Sequence, residues 1–414
     1  MSDRPLSGIR VLDLSRVLAG PWSTQILADL GADVIKIEVP GKGDDTRAWG
    51  PPYLHDAHGE EELSESGYYL CCNRNKRSVA VDLSNPEGAE LIRSLAKKAD
   101  IVVENFRVGG LKKYGLDYES LAAINPRLVY CSITGFGQTG PYTNRGGYDF
   151  VAQGMGGFMS ITGEAGGQPL RAGVAMADLS TGMYATVSIL AALRHAERTG
   201  EGQYIDVSLL DTQIAMLANQ SMNWLVGGIV PGRLGNRHPT VVPYKTFDVA
   251  DGIMIIAVGN DGQFRALCRE LGIEELASDP KFATSRQRMV NRDEIEGIVQ
   301  DLVRGLKRDD LIDRLVACGV PTGPVNSIQE IFEDPFVEAR GAVHQFVRED
   351  GVKIPTVAFP PKMSKTPPRY DYRPPMIGEH SREALNDWLG LDTDSLDTLE
   401  SAGAIAQRNS DTPA

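Results

Sequence analysis

One carboxylate stands out because of the residues around it. Asp178 lies among small and apolar side chains in the run R-A-G-V-A-M-A-D-L-S-T-G-M-Y-A, residues 171–185. An ionised carboxylate in such a sheltered place can act as a nucleophile toward a carbonyl group. The apolar residues after it recur at helical spacing, so we expect Asp178 at or just before a helix N-terminus. There the helix dipole would help keep it ionised, and a simple helix N-cap is its alternative role.

A glycine-rich run follows a predicted strand and could approach a ligand. Residues 135–140 read G-F-G-Q-T-G, which matches the dinucleotide fingerprint. That fingerprint also needs a helix to open at once, whereas Pro141, Asn144, Gly146 and Gly147 follow here and favour helices poorly. We therefore predict a glycine loop whose backbone comes close to a ligand, and no dinucleotide site.

Two basic runs leave two interpretations open. N-R-N-K-R-S at 73–78 carries three cations and is either a solvated face or a phosphate-binding segment, and Lys112–Lys113 leaves the same choice. A serine hydrolase is not supported because the chain has no G-x-S-x-G motif. The histidines and cysteines lack the spacing of metal ligands, so we predict no metal site.

Strands and helices alternate through the first part of the chain, which predicts a parallel sheet covered by helices. Ligands of such sheets bind beyond the carboxyl ends of the strands. The loops after Leu14, Val103 and Ile133 are therefore candidate binding loops. A long helix after Asp178 and a second helix at 209–226 follow.

The pattern changes after a glycine-rich loop at 227–239. A hairpin with a D-G turn is predicted at 244–258, and three helices follow at 261–271, 292–304 and 308–318. We expect an α/β protein with these domains: 1–225, the first part of a large domain; 226–325, a smaller α+β domain; and 326–414, a return segment that completes the large domain.

Bulk composition excludes several classes of protein. A chain of 414 residues exceeds a typical single core, and its net charge of −13 argues against a nucleic-acid partner. The N-terminus lacks the apolar core of a signal peptide, and no run approaches the roughly 18 apolar residues of a membrane span. Five cysteines without a disulfide pattern are typical of the cytoplasm. We expect a cytoplasmic protein with no membrane partner.

Many dispersed segments together resemble one family, the class III CoA-transferases of the formyl-CoA transferase type. The resemblance narrows toward the succinyl-CoA-dependent dicarboxylate transferases on G-D-D-T-R-A-W-G-P-P and P-L-R-A-G-V-A-M-A-D. The segments that carry it are L-S-G-I-R-V-L-D-L-S-R-V-L-A-G-P (6–21), G-A-D-V-I-K-I-E (31–38), G-D-D-T-R-A-W-G-P-P (43–52), N-R-N-K-R-S (73–78), V-E-N-F (103–106), Y-C-S-I-T-G-F-G-Q-T-G-P (130–141), G-Y-D (147–149), G-V-A-M-A-D-L-S-T-G (173–182) and G-V-P-T-G-P-V (319–325).

The resemblance implies a fold and a set of site residues. The fold is a Rossmann-like large domain with a parallel sheet, a smaller α+β domain, and two chains interlocked as a homodimer. Asp178 matches the catalytic aspartate, and Tyr148 and Asp149 match a pair that faces the thioester. The implied contacts to coenzyme A are Leu18, Ala19, Val81, Asp82, Leu83, Ser84, Asn105, Phe106, Arg107 and Lys113. Two departures are Val39, where formyl-CoA transferases have an arginine, and Gly235–Asn236, the remnant of a four-glycine lid.

The implied reaction moves CoA from an acyl-CoA, such as succinyl-CoA, to a carboxylic acid through aspartyl anhydride and thioester intermediates. CoA is then a substrate, with no tightly bound cofactor. We expect Arg47 or Arg171 to hold the distal carboxylate of a dicarboxylate. An α-methylacyl-CoA racemase is the alternative within the fold, but it pairs aspartate with histidine where this chain has Tyr148, and a phenol with an ordinary pKa of about 10 is a poor base. A non-catalytic CoA-binding protein is the alternative from another class. The acceptor acid stays open.

Overall fold

A computed structural model describes residues 4–407, and these fall into two compact units. The first unit combines residues up to Phe158 with Arg171–Ile229 and the C-terminal segment from Glu338. The second combines Met159–Leu170 with Val230–Val337. The sequence placed the smaller domain at 226–325, so the structure differs by the short excursion at Met159–Leu170 and by its later end. The segment Met159–Leu170 has 12 residues and lies between two glycine-rich runs. It shows no helix or strand periodicity from which the sequence could have assigned it to the second unit.

The strands are β1 (Arg10–Asp13), β2 (Asp33–Glu38), β3 (Tyr53–His55), β4 (Glu61–Ser66), β5 (Lys76–Val81), β6 (Ile101–Glu104), β7 (Val129–Thr134), β8 (Gln203–Ser208), β9 (Tyr244–Val249), β10 (Gly252–Ala257), β11 (Thr322–Pro324), β12 (Val343–Val347), β13 (Lys353–Val357) and β14 (Ile405–Ala406).

The α-helices are α1 (Ala19–Asp29), α2 (Gly67–Leu70), α3 (Pro86–Ala96), α4 (Tyr118–Ile124), α5 (Asp149–Met155), α6 (Phe158–Ile161), α7 (Met176–Thr199), α8 (Leu209–Ala215), α9 (Ala218–Gly227), α10 (Asp261–Glu270), α11 (Ser285–Val290), α12 (Arg292–Val303), α13 (Arg308–Ala317), α14 (Ile328–Glu333), α15 (Pro335–Ala339), α16 (Ser381–Leu389) and α17 (Thr393–Ser401). Short 3₁₀ turns lie at Asp45–Ala48, Lys112–Tyr114 and Glu274–Ala277.

The large sheet of the first unit has the strand order β14-β5-β2-β1-β6-β7-β8. Every neighbouring pair in it is parallel except β14, which runs antiparallel along the β5 edge. On one side of β1 lie β2 and then β5, and on its other side lie β6, β7 and β8 in turn. The strand order therefore reverses between β1 and β6, and ligands of doubly wound sheets bind at such a point.

Apolar side chains cover both faces of this sheet. On one face Leu27 of α1 and Ile189 of α7 pack against Val11 and Val103. The other face is covered by α3, α4 and α16. Its fully buried residues include Ile92, Leu95, Leu121, Leu385 and Ile35. Near-continuous apolar strands are typical of a parallel sheet buried on both sides, as the sequence predicted.

Helix α7 is also long and apolar enough to cross a membrane, the one such helix among residues 4–407. More than half of that apolar stretch is buried inside the protein, and the core helix of a soluble protein passes the same test of length and composition. The burial of Ala177, Ala185, Ile189 and Ala192 identifies α7 as a core helix of the first unit.

One predicted helix is two helices in the structure. The sequence predicted a single helix at 209–226, but α8 ends at Ala215 and α9 begins at Ala218, which has φ +46°. A left-handed alanine cannot continue a right-handed helix. No glycine or proline marks this break, so the sequence pattern could not show it.

The second unit holds a three-stranded antiparallel sheet with the order β11-β10-β9. Its β9–β10 pair is the predicted hairpin, with Gly252 opposite Val249. Phe247 and Met254 pack in one core with Phe264, Val299 and Leu311 from three helices. The unit also contains α11, which the sequence did not predict.

Candidate active site

Asp178 is the third residue of α7, and 9% of its surface is exposed. The residue before the helix is Ala175, whose side chain has no oxygen to cap it. The alternative interpretation of Asp178 as the N-cap is therefore wrong. The helix carries the carboxylate inside its first turn.

Asp149 does the capping from α5. Its Oδ1 accepts hydrogen bonds from the backbone N–H of Ala177 at 2.7 Å and of Asp178 at 3.2 Å. Its Oδ2 accepts from Gln153 Nε2 at 2.6 Å. The buried carboxylate of Asp149 is therefore turned to the backbone of α7, and the expected place of Asp149 beside the thioester stays a prediction.

The surroundings oppose the charge of Asp178. Burial raises the pKa of Asp178 to about 7, and the nearby Asp149 carboxylate acts in the same direction. These two effects oppose the helix dipole, which is expected to help keep Asp178 ionised. Burial also raises the pKa of the Tyr68 phenol, and the Asp178 charge raises it further. Tyr68 thus stays protonated in the electrostatic range of Asp178.

A cavity of about 440 Å³ lies beside Asp178 within the first unit. It brings together the three loops that the sequence singled out, those after β1, β6 and β7. Of the predicted site residues, it joins Leu18, Ala19, Asn105, Phe106, Arg107, Tyr148 and Asp178. Tyr148 is 65% exposed there.

Hydrogen bonds tie the first two loops together. The Arg16 N–H donates to Asn105 Oδ1 at 3.0 Å, and Asn105 Nδ2 donates to the Arg16 carbonyl at 2.6 Å. The Arg16 guanidinium is paired with Asp45 at 2.8 Å. Glu104 Oε2 accepts from the Phe106 N–H at 2.7 Å, and burial raises the pKa of Glu104 to about 7.

Backbone features bring α1 to the cavity. Val17 has φ +72°, which is unusual for a β-branched residue, and its N–H donates to both Asp44 oxygens at 3.2 Å. A Cβ added at Gly182 of α7 would lie 2.7 Å from the Ala19 carbonyl oxygen. Gly182 lies one helical turn after Asp178, and only a glycine there lets the start of α1 come this close to α7.

A second cavity, of about 260 Å³, contains the other predicted contacts. Its lining includes the predicted Val81, Asp82, Leu83 and Ser84, together with Val39. It shares Arg16 and Phe106 with the first cavity. The two cavities are therefore neighbours, and the first unit offers an extended ligand two adjacent recesses.

Arg47 is not available to a substrate. The side chain is 2% exposed, and its guanidinium pairs with Glu38 at 2.7 Å and Glu65 at 2.8 Å. The Pro375 carbonyl accepts a further bond at 2.9 Å. The prediction that Arg47 holds a distal carboxylate is wrong, because its charge is already matched inside the protein.

The basic run 73–78 is neither a solvated face nor a phosphate site. Arg74 pairs with Asp29 at 2.6 Å, Lys76 with Asp13 at 3.1 Å, and Arg77 with Asp33 at 2.6 Å. The run leads into the buried strand β5, so its cations meet acidic residues of neighbouring elements. Sequence spacing alone could not show these partners, which are far away along the chain.

Two other predicted residues lie outside both cavity linings. Lys113 is exposed, with Nζ 4.5 Å from the centre of the Tyr114 ring. Arg171 is exposed beside Phe150, with its guanidinium carbon 5.9 Å from that ring. Their predicted roles stay predictions.

Sequence reasoning missed several cavity residues: Arg16, Val17, Asp45, Phe136, Thr143 and Arg145. Arg16 lies in the loop after the first strand, so the rule that identified this loop could have identified the residue. No comparable signal marks Arg145, because its place depends on how the glycine loop folds back. Gly135 and Gly147 meet there, and a Cβ on either would lie 2.6 Å from the Cα of the other.

Across residues 4–407, no three His, Cys, Asp or Glu side chains form a group that could hold a metal ion.

Comparison with known proteins identifies the family of this chain. The model for CoA-transferase family III matches residues 6–381. The chain belongs to that family. It is 55% identical over 381 residues to a succinate–glutarate CoA-transferase of Agrobacterium fabrum, covering 92% of this chain and 95% of the relative. It is 41% identical to the human succinyl-CoA:glutarate CoA-transferase, covering 98% and 90%. The crystal structure of a CAIB/BAIF family protein from Brucella suis matches with a TM-score of 0.82 at 49% identity, covering 93% and 100%.

The protein is therefore an enzyme that transfers CoA from an acyl-CoA to a carboxylate acceptor, with CoA thioesters as its substrates. The resemblance noted in the sequence is confirmed. So is the mixed α/β fold built on a mostly parallel sheet.

Proposed function

We propose that Asp178 is the nucleophile of this CoA-transferase. The observation that carries the proposal is a single buried carboxylate, with no ion-pair partner among residues 4–407, at the wall of a cavity beyond the carboxyl ends of parallel strands. The side chains that line this cavity include no histidine, which disfavours proton abstraction by an aspartate–histidine pair.

The first half-reaction forms an enzyme thioester. An Asp178 oxygen attacks the carbonyl carbon of the acyl-CoA, the carbon–sulfur bond breaks, and a mixed anhydride and CoA thiolate result. The thiolate then attacks the aspartyl carbonyl carbon. The anhydride bond breaks, the donor acid leaves as a carboxylate, and Asp178 carries CoA.

The second half-reaction reverses these steps with the acceptor. Its carboxylate attacks the aspartyl thioester, releases the thiolate and forms a second anhydride. The thiolate attacks the acceptor's carbonyl carbon and frees Asp178. One thioester is exchanged for another without net proton transfer, so an ionised Asp178 and the exclusion of water are the main requirements.

We infer that CoA occupies both cavities of the first unit, with its thioester end beside Asp178 and its nucleotide end beside Val81–Ser84. Arg16 and Phe106 line both recesses and would contact the middle of the ligand. Val39 lines the second recess, so the phosphates need cations from elsewhere, and exposed Lys113 and Arg107 are the candidates.

We propose succinyl-CoA as the donor and a dicarboxylate as the acceptor, as the names of the Agrobacterium and human relatives suggest. With Arg47 excluded, Arg171 remains a candidate for the distal carboxylate. Arg145 is a second one, because it lines the Asp178 cavity with its guanidinium carbon 4.2 Å from the centre of the Tyr142 ring.

The mechanism is tested by trapping. After incubation with succinyl-CoA alone, hydroxylamine should convert residue 178 to an aspartyl hydroxamate, located by peptide mass spectrometry. Asp178→Asn should give no adduct and serves as the control. Absence of the adduct from the wild-type enzyme would contradict the nucleophile.

The substrates are tested by a screen of mono- and dicarboxylate acceptors with succinyl-CoA or acetyl-CoA as donor. We expect the dicarboxylates to be preferred, and Arg145→Met or Arg171→Met to raise their KM selectively. Equal use of matched mono- and dicarboxylates would contradict a distal-carboxylate contact.

We further propose an interlocked homodimer in the cytoplasm. Helices α7 to α9 of the first unit expose a run of large apolar side chains that is unusual for a monomer surface: Met183, Val187, Ile214, Met222, Trp224, Leu225 and Val226. All five cysteines are free thiols, which suits a reducing compartment.

A further inference from the structure

We propose that Asp149 is a positioning residue for the transfer reaction, because its carboxylate replaces the missing N-cap of α7 and thereby fixes the direction in which Asp178 enters the cavity. The inference rests on the proposed role of Asp178 as the acyl acceptor. Asp149 itself does not line the cavity.

The hydrogen bonds at the start of α7 support this role. Four N–H groups at the start of any helix lack partners within it. In α7 the Met176 N–H donates to the Val174 carbonyl at 2.8 Å and the Leu179 N–H to the Ala175 carbonyl at 3.0 Å. The two N–H groups between them, those of Ala177 and Asp178, both donate to Asp149 Oδ1. One oxygen atom thus holds the backbone of the nucleophile itself.

The second oxygen of Asp149 extends the support. It accepts from Gln153 Nε2, and Gln153 Oε1 accepts from the Ala172 N–H at 2.9 Å. Gln153 is fully buried. The pair therefore fixes the segment that leads into α7 at two points, Ala172 and Ala177, and leaves the first turn little freedom to rotate.

The negative charge of Asp149 works against the benefit of its hydrogen bonds, because it disfavours the ionised form of Asp178. The titratable group that acts on the pKa of Asp178 is Asp149 from α5, and Asp178 in turn raises the pKa of Tyr68 from α2. The other titratable and charged groups at the cavity wall are Arg16, Asp45, Arg107, Arg145 and Tyr148. Burial and the Asp149 charge together raise the pKa of Asp178. Removing the Asp149 charge should therefore lower the pH at which Asp178 ionises, while removing its hydrogen bonds should reduce the rate.

Three variants separate the two effects. Asp149→Ala removes both, and Asp149→Asn keeps one accepting oxygen without the charge. Asp149→Asn combined with Gln153→Glu restores every hydrogen bond, with only the bond between residues 149 and 153 reversed in direction, and moves the negative charge to residue 153. We expect kcat to fall about 100-fold in Asp149→Ala and to recover largely in the double variant. KM for succinyl-CoA should change little, because Asp149 does not touch the cavity.

The pH dependence of kcat/KM tests the effect of Asp149 on Asp178, because a purely structural role of Asp149 would leave it unchanged. The acid limb of kcat/KM should shift down by about one pH unit in Asp149→Asn. Asp392→Asn is the matched control, since Asp392 caps α17 through the Ser395 N–H at 3.0 Å, and it should leave both kcat and the acid limb unchanged.

An unshifted acid limb in Asp149→Asn, or a double variant no more active than Asp149→Ala, would overturn the inference. Asp178→Asn is measured beside these variants. Full transferase activity in Asp178→Asn would refute the proposed function instead, so the two failures are distinguishable.

Discussion

At the scale of residues, Asp178 is kept where its charge is disfavoured. Its pKa of about 7 lies above the ordinary value for an aspartate, so the folded protein binds this proton more tightly than the unfolded chain does. The free energy of unfolding should therefore fall as pH rises from about 4 to about 7. The enzyme gains a reactive carboxylate at the expense of stability at neutral pH.

Asp178→Asn should consequently be inactive but more stable than the wild type at pH 8, by on the order of 2 kcal/mol. The difference should disappear near pH 4, where both proteins carry a neutral side chain. Urea unfolding at the two pH values measures it. Equal stability of the two proteins at pH 8 would show that the site does not oppose the charge.

Arg47 gives the opposite prediction, a loss of stability. Arg47→Leu leaves the buried carboxylates of Glu38 and Glu65 without their partner, and breaking such a pair costs about 3–5 kcal/mol. Urea unfolding should show this cost. Exposed Arg171→Leu is the control and should unfold as the wild type does; an Arg47→Leu protein of normal stability with a raised KM would restore the substrate role.

The residues that the sequence could identify are those whose role depends on local context. Asp178 stands out among small residues, Leu18 lies in the loop after β1, and Asn105 directly follows β6. Arg47 and the cations at 73–78 looked equally functional, because ion pairs across the fold are invisible in the sequence. The motif G-Y-D correctly singled out Asp149 as a residue near Asp178. The direction of its side chain could not be predicted, because it depends on the packing of α5 against α7.

At the scale of elements, the site depends on how closely α1 and α7 approach. Gly182→Ala places a methyl group against the Ala19 carbonyl oxygen, 2.7 Å away, and should force the helices apart. We expect kcat to fall and stability to drop by about 1–3 kcal/mol. Thermal unfolding and steady-state kinetics measure the two effects.

Gly297→Ala in α12 is the matched control. A Cβ at this helical glycine meets nothing within 4 Å, so the substitution should stabilise the protein by about 0.5–1 kcal/mol and leave kcat unchanged. Identical behaviour of the two variants would show that the approach of α1 and α7 is not a constraint on the site.

The order of elements was largely predictable, since helix and strand periods differ and glycines mark most turns. The rule for parallel sheets also identified, from strand ends alone, the three loops that line the cavity beside Asp178. The break between α8 and α9 was not predictable, because it depends on the left-handed conformation of Ala218. Nor was the assignment of Met159–Leu170 to the second unit, which only long-range contacts define.

At the scale of the whole molecule, the apolar surface of α7 to α9 predicts a dimer. Light scattering after size exclusion should give twice the chain mass, and an interlocked pair should persist on dilution. Trp224→Glu with Val226→Glu should impair assembly, since both side chains are exposed apolar groups of α9. Val290→Glu on α11 is an equally exposed control that should not. A monomeric wild type would contradict the proposal.

The antiparallel strand β14, close to the C-terminus, forms one edge of the large sheet. Ile405 and Ala406 pair with Val81 and Ala80 of β5, and the Pro375 carbonyl completes the contacts of buried Arg47. During synthesis, the ribosome releases β5 more than 300 residues before β14. The nascent N-terminal sheet therefore waits with an open edge, which is prone to pair with other chains. A stop codon placed just before Ile405 should consequently yield aggregates rather than a slightly shortened enzyme.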